Sequence, residues 1–347
     1  MTEYVISDKE EGLTLYKYAS RVLKEAKGGL IYKFLRNKNI ELNGRKADSR
    51  TILKQGDKVA FFLSDETFGK LLGSADMPKG IPGSAKSGRS YEYQDRSASD
   101  KSVAASGLKT ERILFEDDDF LFYDKPAGLR TQGDGSGKLS LNDLLLKYTG
   151  YDGHSACKPS VCNRLDTNTT GIVLCGKSVR GLQVLNKAVR EHRIRKYYRA
   201  VLSGRFDTNA YTMPGTDVCH MVSYISPSDN ENRVYISDAP KNGYKEIITD
   251  LKVIAGNDRI TYAEVHLITG RKHQIRAQMS HIGHPVAGDI KYGAGTDMDP
   301  SRQMLHSFRI ELPEDILDGM TVFAPIPSDM MEYMGRNGID CIDSMEI

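Results

Sequence analysis

The sequence predicts an α+β fold: a mixed, mainly antiparallel sheet core with flanking helices, preceded by a small basic α/β unit. Three observations carry this. Strand-like and helix-like segments are interspersed without a regular βαβ repeat. Charge is unevenly spread: residues 14–62 hold twelve Lys/Arg against four Asp/Glu, a net of +8, in a chain whose total is +2, so the rest carries about −6. Residues 64 to about 110 are rich in Gly, Ser, Lys and Asp, too poor in apolar surface to order themselves alone. The 347 residues, 39% hydrophobic and 27% charged, therefore divide into a basic unit over 1–63, a flexible linker over 64–110 and a large core over 111–347.

The elements follow in order. Leu15, Tyr18, Ala19 and Val22 share one helical face, and Leu30, Ile31, Phe34 and Leu35 begin a second short helix. Asn43-Gly44 marks a tight turn after Ile40 and Leu42, Gly56-Asp57 marks another, and Val59 to Leu63 read as a strand. In the core, Ile113–Phe115 and Phe120–Tyr123 are strand-like runs around an acidic turn, ended by Lys125-Pro126-Ala127-Gly128. Leu141 to Leu146 reads as a short helix and Ile172 to Leu174 as a buried strand. Val179, Leu182, Leu185 and Val189 form a helical stripe, Tyr198, Ala200 and Leu202 alternate as a strand, and Ile260 to Leu267 alternates again. After the turn Thr269-Gly270, Ile275, Met279 and Ile282 line the core face of a helix closed by Gly283. Residues 205–250 carry no guiding motif.

Some classes drop out. No run of eighteen apolar residues suggests a membrane span, and the N-terminus MTEYVISDKEEG lacks the apolar core of a signal peptide, so a cytoplasmic protein is expected. Cys157, Cys162, Cys175, Cys219 and Cys341 contain no CxxC pair, which argues against a disulfide framework or a zinc ribbon and for reduced thiols. The basic unit is built to meet a polyanion, and Lys33, Arg36, Lys38, Arg45 and Lys46 are its candidate RNA contacts.

Three segments could do chemistry. In Asn163-Arg164-Leu165-Asp166-Thr167-Asn168-Thr169-Thr170-Gly171 a single carboxylate sits in a polar loop between apolar elements. Taken alone, Asp166 and Thr169 also suit an ordinary Asx-type turn. In Lys196 to Gly204, Tyr198 on the inner face of a strand suits core packing, and its ring would also stack on a pyrimidine. In Leu267 to Arg276, Arg276 borders the interior and needs an anion, either a phosphate or a carboxylate such as Asp166. His273 has no second histidine at helical spacing and reads as a structural hydrogen bonder.

In order and spacing, these segments resemble the RluA-type family of pseudouridine synthases, which act on ribosomal and transfer RNA. The family's His-Arg-Leu-Asp-x-x-Thr-Ser-Gly is matched at 163–171, Lys-x-Tyr-x-Ala at Lys196, Tyr198 and Ala200, and Thr-Gly-Arg-x-His-Gln-Ile-Arg at Thr269 to Arg276. Gly-His-Pro-x-x-Gly-Asp-x-x-Tyr-Gly falls on Gly283 to Gly293, and the late Leu-His pair on Leu305-His306. Upstream, Glu116-Asp117-Asp118 and Lys125-Pro126-Ala127-Gly128 match the family's opening segment. Residues 1–63 are similar to the small RNA-binding module first seen in a ribosomal small-subunit protein. Two positions depart: Asn163 stands for histidine, keeping hydrogen bonds but not titration, and Thr170 stands for serine.

The resemblance implies the pseudouridine synthase fold, commonly monomeric, and isomerisation of uridine to pseudouridine after base flipping, without metal or organic cofactor. Asp166 would be the nucleophile, attacking a sugar carbon or acting as a base beside it. It must be ionised in a closed pocket, and Arg276 is assigned as the cation that favours that form. Tyr198 would stack on the uracil and later remove the ring-carbon proton. Ile275 would supply an apolar wall, and Arg164 would bind phosphate or fill the gap left by the flipped base. Asn163, Thr169 and Arg271 complete the expected substrate contacts. Large-subunit ribosomal RNA is the expected partner, with transfer RNA as the alternative. A non-catalytic RNA-binding or ribosome-assembly factor would have no need of Asp166, Tyr198 and Arg276 together. A hydrolase of small glycosides would want a second carboxylate.

Overall fold

The computed structural model describes residues 1–26, 28–72, 107–153, 155, 157–229, 231–293 and 300–340. The basic unit comprises β1 (Thr2–Val5), α1 (Leu15–Val22), α2 (Gly28–Arg36), β2 (Ile40–Leu42), β3 (Lys58–Phe61) and α3 (Asp65–Leu72). Its strands form an antiparallel sheet in the order β1-β3-β2. Thr14 caps α1 by accepting from the Lys17 amide at 3.3 Å. After β2, Asn43 and Gly44 both take positive φ, 51° and 72°, which gives a turn whose twist matches the strands it joins. Leu15, Tyr18, Ala19 and Val22 from α1 pack with Ile31 and Leu35 from α2 against the sheet.

The stretch read as a linker from residue 64 begins with a helix. α3 occupies the first residues of the expected linker, with Phe68 and Leu72 buried in the core of the basic unit and the Leu71 carbonyl accepting from the Glu25 amide at 3.0 Å. The short apolar set of this segment is outweighed by the composition of the long stretch behind it. Residues 73–106 of that expected linker lie outside the described residues.

The second body is built on one large sheet. Its elements are β4 (Ile113–Glu116), β5 (Phe120–Lys125), α4 (Leu141–Tyr148), β6 (Ser160–Val161), β7 (Thr170–Gly176), α5 (Val179–Arg190), β8 (Arg195–Ser203), β9 (Val218–Ile225), β10 (Ile236–Ser237), β11 (Lys245–Gly256), β12 (Ile260–Leu267), α6 (Gln274–His281), β13 (Leu305–Glu311), β14 (Thr321–Phe323) and α7 (Ser328–Arg336). The strand order is β10-β9-β11-β12-β8-β13-β7-β5-β4, with β6 beside β7 and β14 beside β13. Every pairing is antiparallel except β13 with β7. The α+β, mainly antiparallel expectation therefore holds.

Because side chains alternate along a strand, the sheet buries both faces. Leu121, Tyr123, Val173, Cys175, Ala200 and Leu202 face α4 and α6. Phe120, Phe122, Ile172 and Leu174 face α5, and Val201 and Tyr262 face α7. Gly283, at φ +87°, ends α6 as its sequence position suggests. The unguided stretch 205–250 adds β9, β10 and β11, which widen the sheet beyond β12. Cys157 and Val179 join the apolar cluster of the basic unit, so the two bodies share buried surface. Cys157, Cys162, Cys175 and Cys219 are free thiols, while Cys341 lies outside the described residues.

Candidate active site

The polar loop between β6 and β7 is a rigid platform. The Asp166 backbone carbonyl accepts from the Thr169 amide at 3.0 Å, so the loop closes as a backbone turn and the carboxylate is left free of the Asx-type bond that the residue types would allow. The Thr131 hydroxyl donates to the Leu165 carbonyl at 2.8 Å and accepts from its amide at 3.1 Å. Lys125, fully buried, donates to the carbonyls of Pro126, Leu129 and Thr167 at 2.9, 2.8 and 2.9 Å, tying the loop to the end of β5. Burial pushes its ammonium down to about 7, against the pull of the nearby Asp166 charge. Sequence alone does not single out Lys125 as a loop anchor. A lysine before Pro-Ala-Gly at a strand end is its one local signal.

Asp166 projects from this turn into a cleft of about 690 Å³. Its Oδ2 accepts from Arg276 Nη1 at 2.6 Å, so of the two anions the sequence leaves open, the carboxylate is the one Arg276 meets. Arg276 stands in the first turn of α6 and is itself clamped. Its Nε and Nη2 donate to the two oxygens of Asp289 at 2.6 and 2.8 Å, and the Asp289 side chain is 0% exposed. Burial of the guanidinium opposes its charge, yet Asp289 and Asp166 outweigh that and raise its pKa above the ordinary arginine value. Asp289 is a functional partner that sequence reasoning misses, although it lies in the Gly-Asp pair of the 283–293 segment. Gly288, at φ +74°, brings that turn against the chain: a Cβ there would sit 2.1 Å from the Arg302 carbonyl oxygen.

His273 caps α6 in the left-handed region, φ 54° and ψ 15°, a conformation that costs an L-residue roughly 1–2 kcal/mol. Its Nδ1 shares a hydrogen bond with the Tyr292 hydroxyl at 2.8 Å, and its Nε2 lies 3.7 Å from Asp166 Oδ1. Burial pushes the imidazole down to about 4, against the charge of Asp166, so it is neutral at pH 7. The structural role expected for His273 fits this geometry.

Tyr198, on β8, lines the same cleft and is buried, and burial pushes its phenol up to about 12. Ile275 supplies an apolar wall beside it, and Thr169 is buried in the cleft lining, accepting from Gln303 Nε2 at 3.3 Å. Arg164 and Arg271 are exposed at the cleft and make no side-chain ion pair among the described residues. Lys196 also lines it, and burial lowers its pKa with no compensating acid.

Asn163 lines the cleft as well. Its Oδ1 accepts from the Leu174 amide at 2.7 Å and its Nδ2 donates to the Ile172 carbonyl at 3.4 Å. Both amide atoms bond to the backbone of β7, which ties the loop to that strand. The basic residues Lys33, Arg36, Lys38, Arg45 and Lys46 are all exposed on the basic unit, away from this cleft lining.

The arrangement offers one carboxylate held beside a guanidinium, facing an aromatic and apolar slot with a basic rim. Asp134, the other carboxylate lining the cleft, is engaged by Arg130 at 2.5 Å.

Comparisons with known proteins agree with this geometry. Residues 119–281 match the family model for RNA pseudouridylate synthase. The chain is 31% identical over 304 residues to ribosomal large subunit pseudouridine synthase C of Rickettsia felis, covering 87% of this chain and 89% of that one. It is 27% identical over 335 residues to an uncharacterized RNA pseudouridine synthase of Bacillus subtilis, covering 94% of each. Among solved structures, human RNA pseudouridylate synthase domain containing 4 superimposes with a TM-score of 0.52 at 22% identity, over 67% of this chain and 95% of that one, a likeness of fold.

Proposed function

The chain belongs to the RNA pseudouridylate synthase family, and on that premise we propose that Asp166 is its nucleophile and a uridine of large-subunit ribosomal RNA its substrate. As a member of that family the protein is an isomerase acting on RNA. The large-subunit assignment is supported by relatives such as the Rickettsia felis large-subunit enzyme, which aligns along most of both chains.

The observation that carries the assignment of Asp166 is its 2.6 Å contact with an arginine already locked by a buried second carboxylate. Arg276 favours the ionised Asp166 that either chemical route requires, attack on the sugar carbon or base catalysis beside it. Asp289 fixes the guanidinium, so little reorganisation is needed when charge shifts during reaction. The flipped uracil lies between Tyr198 and Ile275 while the carbon–nitrogen bond breaks, the ring turns and the carbon–carbon bond forms, after which the proton on that ring carbon leaves and the freed ring nitrogen ends protonated. Tyr198 stacks there as a neutral phenol, since its raised pKa disfavours the phenolate that the expected removal of the ring-carbon proton would need. Arg164 and Arg271, exposed at the rim, take the phosphates flanking the flipped nucleotide. The basic unit holds more distant RNA through Lys33, Arg36, Lys38, Arg45 and Lys46.

Purified protein and its Asp166→Ala variant are incubated with unmodified ribosomal and transfer RNA, and pseudouridine is mapped by chemical adducts. The expected result is a modified large-subunit uridine with the native chain and none with the variant, at equal RNA affinity. Equal modification by both removes Asp166 from the chemistry. Modification of transfer RNA alone overturns the substrate assignment.

A further inference from the structure

We infer that the basic unit carries a stacking platform for one unpaired RNA base, formed by Tyr32 backed by Tyr16. This rests on the reading of that unit as an RNA grip and names how it would grip.

The two rings, from α2 and α1, lie 4.5 Å apart at 23°, a stacked pair. Tyr18, Phe61 and Phe68 are buried in the core of the unit, whereas Phe62 is 42% and Tyr32 54% exposed, and of these two Tyr32 is the one in a stacked pair. Tyr16 covers one face of the Tyr32 ring, and the exposure belongs to the remainder. The pair lies between two basic segments. Lys33 and Arg36 are exposed on α2 beside Tyr32. The Tyr16 amide donates to the Ser49 carbonyl at 2.9 Å, which ties the start of α1 to the loop that carries Arg45 and Lys46. None of these four cations pairs with an acid among the described residues. The nearest acid in that loop, Asp48, accepts from the Arg50 amide at 2.8 Å.

An exposed aromatic ring on a unit whose neighbouring segments carry uncommitted cations matches a nucleotide: the ring meets the base and the cations meet phosphate. A double helix offers no base face to it, so the ligand is an unpaired base in a loop or bulge. The backing ring holds Tyr32 in place, which lowers the cost of ordering it on binding.

The chain contains no tryptophan, so Tyr32→Trp in the full-length protein gives a single indole reporter. Its fluorescence is followed on adding a short RNA hairpin with an unpaired loop, or a blunt duplex of the same stem. Quenching by the hairpin and not by the duplex is expected. Tyr32→Ala should weaken hairpin binding by about five- to a hundredfold with the salt slope unchanged, and Tyr32→Phe should bind like the native chain. If Tyr32→Ala binds as tightly as native while a Lys33→Ala/Arg36→Ala variant weakens binding, the stacking platform is wrong and the electrostatic grip stands. If both variants bind like native, the grip falls as well. Equal quenching by hairpin and duplex also overturns the platform.

Discussion

At the scale of the residue, the site is a chain of charges ordered by burial. Asp289 lies deepest, Arg276 spans, and Asp166 meets the cleft with its side chain 27% exposed. Removing the buried member leaves a buried arginine half-satisfied. Asp289→Ala should therefore cost about 3–5 kcal/mol in urea denaturation. The milder Asp289→Asn should keep the fold but lower kcat roughly 10²-fold through a displaced Arg276. An Asp289→Asn protein with native kcat would mean that Asp289 does not position Arg276. A second residue sets a pH limit. His306 is fully buried, and its Nδ1 meets the Thr170 hydroxyl at 2.8 Å. Burial pushes its imidazole down to about 4 from an ordinary 6.5. The unfolded chain takes up that proton near pH 6.5 and the folded chain only near 4. This stability is therefore present above pH 6.5 and is lost as pH falls between the two values. The gap is worth up to roughly 3 kcal/mol at 1.36 kcal/mol per pH unit. His273, pushed down in the same direction, adds to the loss. Denaturation midpoints at pH 7 and pH 5 should converge in His306→Gln relative to native. An identical acid-induced drop in both proteins would clear His306 of this role. Asp166, Arg276 and Tyr198 are legible in the sequence because each sits in a local pattern. Asp289 and Lys125 stay in the background, because nothing in the spacing to their partners, Arg276 13 residues before Asp289 and the Thr167 carbonyl 42 residues after Lys125, marks a contact.

At the scale of the element, long periodic segments are the legible ones. The helix 179–190 and the strand 260–267 follow their apolar spacing closely. β9 is not recognisable in the sequence, although Cys219, Met221, Ser223 and Ile225 are its buried set, because a serine and a half-apolar outer face blur the alternation. α3 is hidden by its neighbours' composition. Asn163 reads as a substrate contact from its motif position three residues before Asp166, and the hydrogen bonds of its amide to the next strand have no local signal. One strand pairing is unusually tight. Gly171 of β7 has φ +106°, and a Cβ there would lie 2.2 Å from the Ser307 carbonyl oxygen of β13. This is the parallel pairing of the sheet, and it stands directly behind the Asp166 loop. Gly171→Ala should destabilise the protein by about 3 kcal/mol or more, read from the thermal midpoint, since both backbone strain and overpacking act. A native midpoint would mean that the strands can part at little cost.

At the scale of the whole molecule, the proposed RNA grip and the proposed chemistry lie on different bodies. The basic unit holds an excess of cations, and the larger body holds the cleft. Replacing Lys33, Arg36, Lys38, Arg45 and Lys46 by alanine should lower the slope of log affinity against log salt by about 0.7–0.9 for each phosphate no longer neutralised. The cleft chemistry on a saturating RNA should continue. An unchanged slope in filter binding would remove these five residues from the interface. The bodies also share buried surface through Cys157 and Val179, which no local pattern announces. The sequence by itself determined the α+β class, the basic leading unit, the helical and strand periods of the core and the three catalytic candidates, since all of these are encoded within short windows. Only the tertiary structure decided that Arg276 meets Asp166 rather than phosphate, that Asp289 holds it there, and that Asn163 serves the β7 backbone. Those outcomes depend on which side chains the folded backbone brings within hydrogen-bond distance, and Asp166 and Arg276 are 110 residues apart in the chain.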